Sequence, residues 1–199
     1  MTPTAADFKA LAALVLRFGQ VERLTQHPDG RPETDTTHTV MLALAAVLLA
    51  PSIGLDPGKC AIAALVHDLP EAYAGDVPTL KRLTEAQQCA KDLAEASAVR
   101  RIRAELPVLG GLIGDYEAQY TPEARMIKVL DKIMPKLTHL HDKCAVPRQQ
   151  GMPKEALRAV QVLQGASLRR RYPEPLLVPV HDLFDELTEL CVAAYPDDR

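Results

Sequence analysis

The segment running from Lys59 to Glu71 constrains this chain more than any other, because an apolar run of helical length ends on adjacent His67 and Asp68 and is stopped by Pro70. A helix of that composition must be buried, so an imidazole and a carboxylate arrive side by side inside the protein. An unpaired buried carboxylate costs several kcal/mol, on the order of the penalties for isolated ions. A metal ion is the first compensation to expect. Pro57, preceded by Asp56, starts this helix, and Gly75-Asp76-Val-Pro78 makes a turn beyond it.

The flanking segments read as helices as well. Residues 4–17 carry Phe8, Leu11, Leu14, Val15 and Leu16 at spacings near three and four. Residues 18–35 hold His-Pro-Asp-Gly and Arg-Pro and read as a long turn-rich loop. Thr36 or Thr37 caps a helix to about residue 50, with His38 in its first turn. Residues 84–106 form a mixed-charge helix, and Pro107 to Gly114 form a short segment punctuated by glycines. Thr121-Pro122-Glu123 opens a helix that runs to about His141 with Asp131 in its middle. Helical stretches follow near 154–170 and 180–194, between proline-rich loops. No alternating period supports a sheet, so the fold expected is all-α.

At 199 residues the chain has room for one domain with extensions. A net charge of −3 argues against a general nucleic-acid binder, which needs excess Lys and Arg to displace counterions. Four widely spaced cysteines without a CxxC pair read as reduced thiols. The N-terminus lacks the order of a signal peptide, and the run Val40 to Pro51 is shorter than the roughly 20 residues of a bilayer span. The expectation is a cytoplasmic protein without a membrane partner.

His38, His67, Asp68 and Asp131 together offer two imidazoles and two carboxylates. That set suits one divalent transition ion, such as Mn, Co, Ni, Fe or Zn, with positions left for water and substrate. No thiolate belongs to it, which argues against a closed structural zinc site.

This order of His, His-Asp and Asp resembles the HD superfamily of metal-dependent phosphohydrolases. Pro32-Glu33-Thr-Asp-Thr-Thr-His38, His67-Asp68-Leu-Pro-Glu71, Gly75-Asp76-Val-Pro78-Thr79 and Val129-Leu130-Asp131-Lys132 are similar to segments of its 5′-deoxynucleotidase branch. The likeness spans roughly residues 10–140. It implies a single-domain HD-type helical bundle, with residues 1–145 as the core and 146–199 as a helical extension packed on it. It makes His38, His67, Asp68 and Asp131 the metal ligands and Glu71 the residue that activates or positions the attacking water. Asp76 is implied at the sugar or in support of the site.

Arg17-Phe18 matches the branch's phosphate-gripping arginine and its aromatic, with Phe where Trp is commoner. By sequence alone Arg17 and Arg23 both read as solvent-facing charges, and Arg17 is the one favoured as a phosphate ligand. Glu33, Thr79 and Lys81 complete the expected substrate contacts. No histidine lies between Asp68 and Asp131, whereas the dinuclear relatives carry extra ones there, so one metal per chain is expected.

The reaction implied is hydrolysis of a deoxynucleoside monophosphate to nucleoside and phosphate. Two alternatives stand beside it: a dNTP triphosphohydrolase, for example a dATPase, and a nucleotide-sensing module without turnover. A homo-oligomer is expected, with the 84–104 helix and the C-terminal segment as available surface.

Overall fold

The structure, a computed structural model, describes residues 2–77 and 83–196. Polar side chains at the helix starts set several boundaries. Thr4 and Asp7 form a reciprocal capping box that begins α1 (Ala5–Phe18). Thr34, and not Thr36 or Thr37, caps α2 (Asp35–Leu49) by accepting from the Thr37 amide, and Asp56 accepts from the amides of Gly58 and Lys59 to start α3 (Pro57–Val66). Each such cap satisfies amides that no helical turn can reach. His67 follows as the C-cap of α3, and after a tight turn Glu71 opens the short α4 (Glu71–Ala74).

Three segments differ from the sequence reading. The loop 18–35 contains an antiparallel hairpin, β1 (Glu22–Gln26) and β2 (Pro32–Thr34), so the all-α molecule carries one small two-stranded sheet. Its hydrophobic alternation is missing because the inward positions of β1 are Arg23 and Thr25, both polar. The glycine-punctuated segment is helical: α5 (Glu85–Glu105) turns at Leu106 into α6 (Pro107–Ala118). Gly110 is needed there for close approach, since a Cβ on it would stand 2.5 Å from the Arg103 Cα. Finally, the long helix expected from Thr121 to His141 is two helices, α7 (Pro122–Asp131) and α8 (Met134–Asp142). Pro135 explains the break, because it lacks an N–H and its ring conflicts with the carbonyl four residues earlier, that of Asp131. Asp131 therefore ends a helix and does not sit inside one.

The C-terminal part comprises α9 (Ala145–Gln149), α10 (Lys154–Arg171) and α11 (Val178–Ala194). Leu168, Tyr172, Leu177, Val180 and Phe184 join the same buried cluster as Leu14, Leu42, Ala64, Met126 and Ile133. Cys60, Cys144 and Cys191 are buried, Cys89 is exposed, and all four are free thiols. The apolar run judged too short for a bilayer is extended by a 3-10 turn to Asp35–Ile53, 19 residues of mean hydropathy 1.6, long and apolar enough by composition to span one. Its inner face, with His38, Leu42 and Ala46 fully buried, belongs to the protein core. The outer face exposes Val40, Leu44, Val47 and Leu48.

Candidate metal centre

Three helix ends meet at the site. His38 comes from the first turn of α2, His67 and Asp68 from the end of α3, and Asp131 from the end of α7. One ligand atom from each of the four lies within 4.8 Å of every other. His38 Nε2 is 3.0 Å from Asp131 Oδ1, and His67 Nε2 is 2.9 Å from Asp68 Oδ2. The His67 ring is oriented from behind, because its Nδ1 lies 2.7 Å from the Ala64 carbonyl, the partner an Nδ1–H would take. That leaves Nε2 turned to the carboxylates with no aligned hydrogen bond.

These observations fit a divalent cation. Ligand atoms about 3 Å apart are what metal bonds of about 2.1 Å at right angles produce. Burial works against charge on His67, yet the Asp68 and Asp131 carboxylates outweigh it and hold the imidazole's pKa above its ordinary value. Burial likewise opposes ionisation of Asp131, but Lys132, with Nζ 2.8 Å from Asp131 Oδ2, and the two imidazoles hold its carboxyl well below the usual range. The centre thus gathers charge that wants a cation.

A second acidic group adjoins the first. Asp35, Asp68 and Glu71 each bring a carboxylate oxygen within 4.8 Å of the others, and Arg23 lies among them. Its Nη1 is 2.8 Å from Asp35 Oδ1, 3.0 Å from Asp68 Oδ2 and 3.9 Å from Glu71 Oε2. Burial, followed by repulsion from Asp68, Asp35 and Asp76, pushes the Glu71 carboxyl up to about 10. In the metal-free centre Glu71 therefore holds its proton at neutral pH.

The expected substrate contacts divide. Arg17 is exposed, with its guanidinium 5.4 Å from the Tyr73 ring centroid, and it lines neither cavity at the centre. Phe18 is 3% exposed and packed in the core, so it offers no face to a nucleotide. Glu33 is buried beneath His38: Thr25 Oγ1 donates to its Oε2, and its Oε1 is 3.8 Å from His38 Nδ1. It touches the imidazole that it precedes in sequence. Asp76 lines both cavities beside Arg23, and burial raises its carboxyl against the pull of that arginine. Thr79 and Lys81 lie outside the described residues. His181 lies outside the centre and bonds the Tyr172 carbonyl at 2.9 Å.

Sequence reasoning missed Arg23, Asp35 and Lys132. Asp35 precedes His38 by three residues, a spacing that puts both on one helix face, so it was findable. Arg23 has no such signal, since its partner Asp68 is 45 residues away. A cavity of about 590 Å³ opens on the centre, with His67, Asp68, Glu71 and Asp131 on its inner side. Its outer wall carries Lys91, Glu95, Arg100 and Lys128.

A helical bundle that brings His, His-Asp and Asp to one buried point defines a class, and the HD domain family matches residues 16–166. The chain belongs to that family. Among curated proteins it is 31% identical over 123 residues to the 5′-deoxynucleotidase HDDC2 of Homo sapiens, covering 59% of this chain and 56% of that protein. The Xenopus laevis protein of the same name is 27% identical over 134 residues, 62% of this chain and 65% of its own length. The chain thus matches less than two thirds of either relative. Among solved structures, a predicted metal-dependent phosphohydrolase from Magnetospirillum magnetotacticum MS-1 superposes with a TM-score of 0.66 at 23% identity, over 94% of this chain and 98% of that one. A conserved hypothetical protein from Pyrococcus furiosus gives 0.51 at 23% identity, over 89% and 99%. These two likenesses bear on the fold.

Proposed function

We propose that this chain is a metal-dependent phosphohydrolase that cleaves deoxynucleoside 5′-monophosphates to nucleoside and phosphate. The observation that carries the reading is the convergence of His38, His67, Asp68 and Asp131 within 4.8 Å, with the Glu71 carboxyl beside them. The human and frog relatives, both named 5′-deoxynucleotidases, support the substrate class. One ion per chain fits best, because the neighbouring acidic group already holds the Arg23 guanidinium.

A divalent ion in this centre would neutralise charge on the phosphoryl oxygens and lower the pKa of a water from about 15.7 toward neutrality. Glu71 orients that water and accepts its proton as oxygen attacks phosphorus. As the bond from phosphorus to the 5′ oxygen breaks, Glu71 returns the proton to the leaving alkoxide, which departs as the nucleoside hydroxyl. Arg23 and Lys132, both lining the 590 Å³ cavity, present fixed positive charge to the phosphoryl oxygens. Asp76 faces the same space and is available to the sugar.

Nucleotide binding, a cytoplasmic location and a homo-oligomeric state belong to the same proposal. The free thiols support the second. The exposed aliphatic row of α2, Val40, Leu44, Val47 and Leu48, supports the third.

Two measurements test the reading. Purified protein should hold about one divalent transition ion per chain, and His67→Ala should lose it, because one of four protein ligands is gone. Metal retained at full stoichiometry by His67→Ala would refute the ligand assignment. Across a panel of nucleotides, the metal-loaded chain should release inorganic phosphate from monophosphates. Tripolyphosphate released from triphosphates would replace this activity with the triphosphohydrolase one, and binding without turnover would make the chain a sensor.

A further inference from the structure

Beside the charged cavity lies a second one, of about 160 Å³, between β1, α8 and α10. The two share Arg23, Asp76, Asp131 and Lys132, so they meet at the candidate metal centre. Their walls differ. The larger cavity's outer wall carries Lys91, Asp92, Glu95, Arg100, Glu117 and Lys128 around Ala96 and Val99, so most of it is ionic and gives an uncharged ring little gain from leaving water. The smaller is walled by Leu24, Pro135, Val146, Leu157 and Val160.

Beyond the charged side chains it shares with the centre, the polar lining of the smaller cavity is Thr25, Lys136, His139, Gln161 and Gln164. Gln161, on α10, is 6% exposed, and its Oε1 has no hydrogen-bond partner among the described residues. Gln164 stands one helical turn on and lines the same space. Lys136 also lines it but is engaged elsewhere, with Nζ 3.8 Å from the centroid of the Phe184 ring. Aliphatic walls with a few placed amides are the usual make-up of a site for a flat heteroaromatic ring. Size narrows the choice, since a cavity of about 150 Å³ admits one benzene ring. Phe18, which the resemblance assigned to pack on the nucleotide, is in the core and leaves that task open.

We propose that this cavity is the nucleobase subsite, that it takes a single-ring pyrimidine base, and that Gln161 reads the polar edge of that base. The proposal rests on the reading of the chain as a nucleotide phosphohydrolase. A carboxamide carries one acceptor and one donating amino group, so by turning over it pairs with the edge of thymine or of cytosine. A purine needs room for a second ring, more than a cavity of about 160 Å³ offers.

The test uses the metal-loaded full chain, Gln161→Leu and Val160→Phe. Val160 is 41% exposed at the cavity rim, so phenylalanine there narrows the space without entering the core. Thermal melts of both variants check folding. The readouts are kcat/KM for the four deoxynucleoside monophosphates and for base-free deoxyribose 5-phosphate, and the affinities of thymidine and deoxyadenosine measured by NMR titration.

Wild type should favour pyrimidine over purine nucleotides by about tenfold or more. Gln161→Leu should lower the pyrimidine to purine ratio by roughly three- to tenfold, chiefly through KM, as the loss of one neutral hydrogen bond dictates. Val160→Phe should lower the ratio of thymidine monophosphate to deoxyribose phosphate turnover and weaken thymidine binding. If no nucleotide is hydrolysed yet both variants weaken thymidine binding, the activity reading fails and the subsite stands. If nucleotides are hydrolysed with the same base ratio in all three proteins, the subsite is refuted and the activity stands. Absence of both hydrolysis and nucleoside binding rejects both.

Discussion

Two regions of this protein bury polar side chains, and they do so in opposite ways. In the C-terminal part, Gln161 and the Tyr172 hydroxyl aside, buried polar groups meet backbone partners: His181 pairs with the Tyr172 carbonyl, Thr188 Oγ1 donates to the Phe184 carbonyl at 2.9 Å, and Cys191 Sγ to the Lys136 carbonyl at 3.0 Å. Backbone acceptors there close the account locally. At the meeting of α2, α3 and α7, four acids, Asp35, Asp68, Glu71 and Asp131, crowd against two fixed cations, Arg23 and Lys132. Packing alone does not select such a crowd of acids, because unpaired buried carboxylates destabilise a fold by several kcal/mol, on the order of the desolvation penalties for ions. A region that keeps its polar groups unsettled marks chemistry, and one that settles them marks structure.

The sharpest way to break this contrast is to neutralise one acid in the crowded region. Glu71→Gln should keep the metal and lower single-turnover hydrolysis by about 10²–10⁴, the range for losing a general acid–base group. Unchanged turnover would make Glu71 one more buried acid without a role. Next in size is Arg23→Met, which leaves Asp35 and Asp68 uncompensated and should cost about 3–5 kcal/mol in urea unfolding of the metal-free chain. A loss below about 1 kcal/mol, the median worth of a surface pair, would mean that Arg23 is not what holds these acids together.

Titration sharpens the comparison further, because Glu71 at the centre and Lys136, on α8 against Phe184 of the C-terminal part, should respond to pH with opposite slopes. Glu71 is held near 10 in the fold, above its ordinary value of 4.5, so its contribution is full below about 4.5 and is lost as pH rises toward 10. In metal-free protein, Glu71→Gln should therefore gain on wild type as pH goes from 5 to 9. A relative rise of at least about 2–4 °C in Tm is expected, the shift that 1 kcal/mol gives a chain of this size.

Lys136 behaves inversely. Burial lowers it from 10.5 to about 8, so its penalty is present at neutral pH and disappears as pH rises from 8 through 10.5. The smallest effect is thus expected from Lys136→Met. Removal of a buried unpaired charge and loss of the contact with Phe184 oppose each other, leaving neutral-pH stability within about 1 kcal/mol of wild type. A loss of several kcal/mol would show that the quiet region also depends on a charge.

Sequence alone determined whatever depends on near neighbours. Asp56 with Pro57, and Thr121 with Pro122, announce helix starts because a cap acts within three residues. The apolar run into His67 and Asp68 announces a buried helix end for the same reason, and the spacing of motifs shared with the HD family named His38 and Asp131. Where the local signal was overlooked, as with Pro135 behind Asp131, the helix break was missed although the information was present.

Only the tertiary structure decided what depends on contacts across the chain. β1 escaped notice because its inward residues, Arg23 and Thr25, are polar and serve the site. Arg23 earned its place through partners 12 and 45 residues away, a relation that no period in the sequence encodes. Glu33 was expected at the substrate; the hairpin folds it inward to Thr25, with its Oε1 3.8 Å from His38 Nδ1. The cavity under α10 joins β1 to residues more than a hundred positions later. Such proximity arises from how helices stack, and stacking is fixed by the whole core, so a local reading of the chain contains no trace of it.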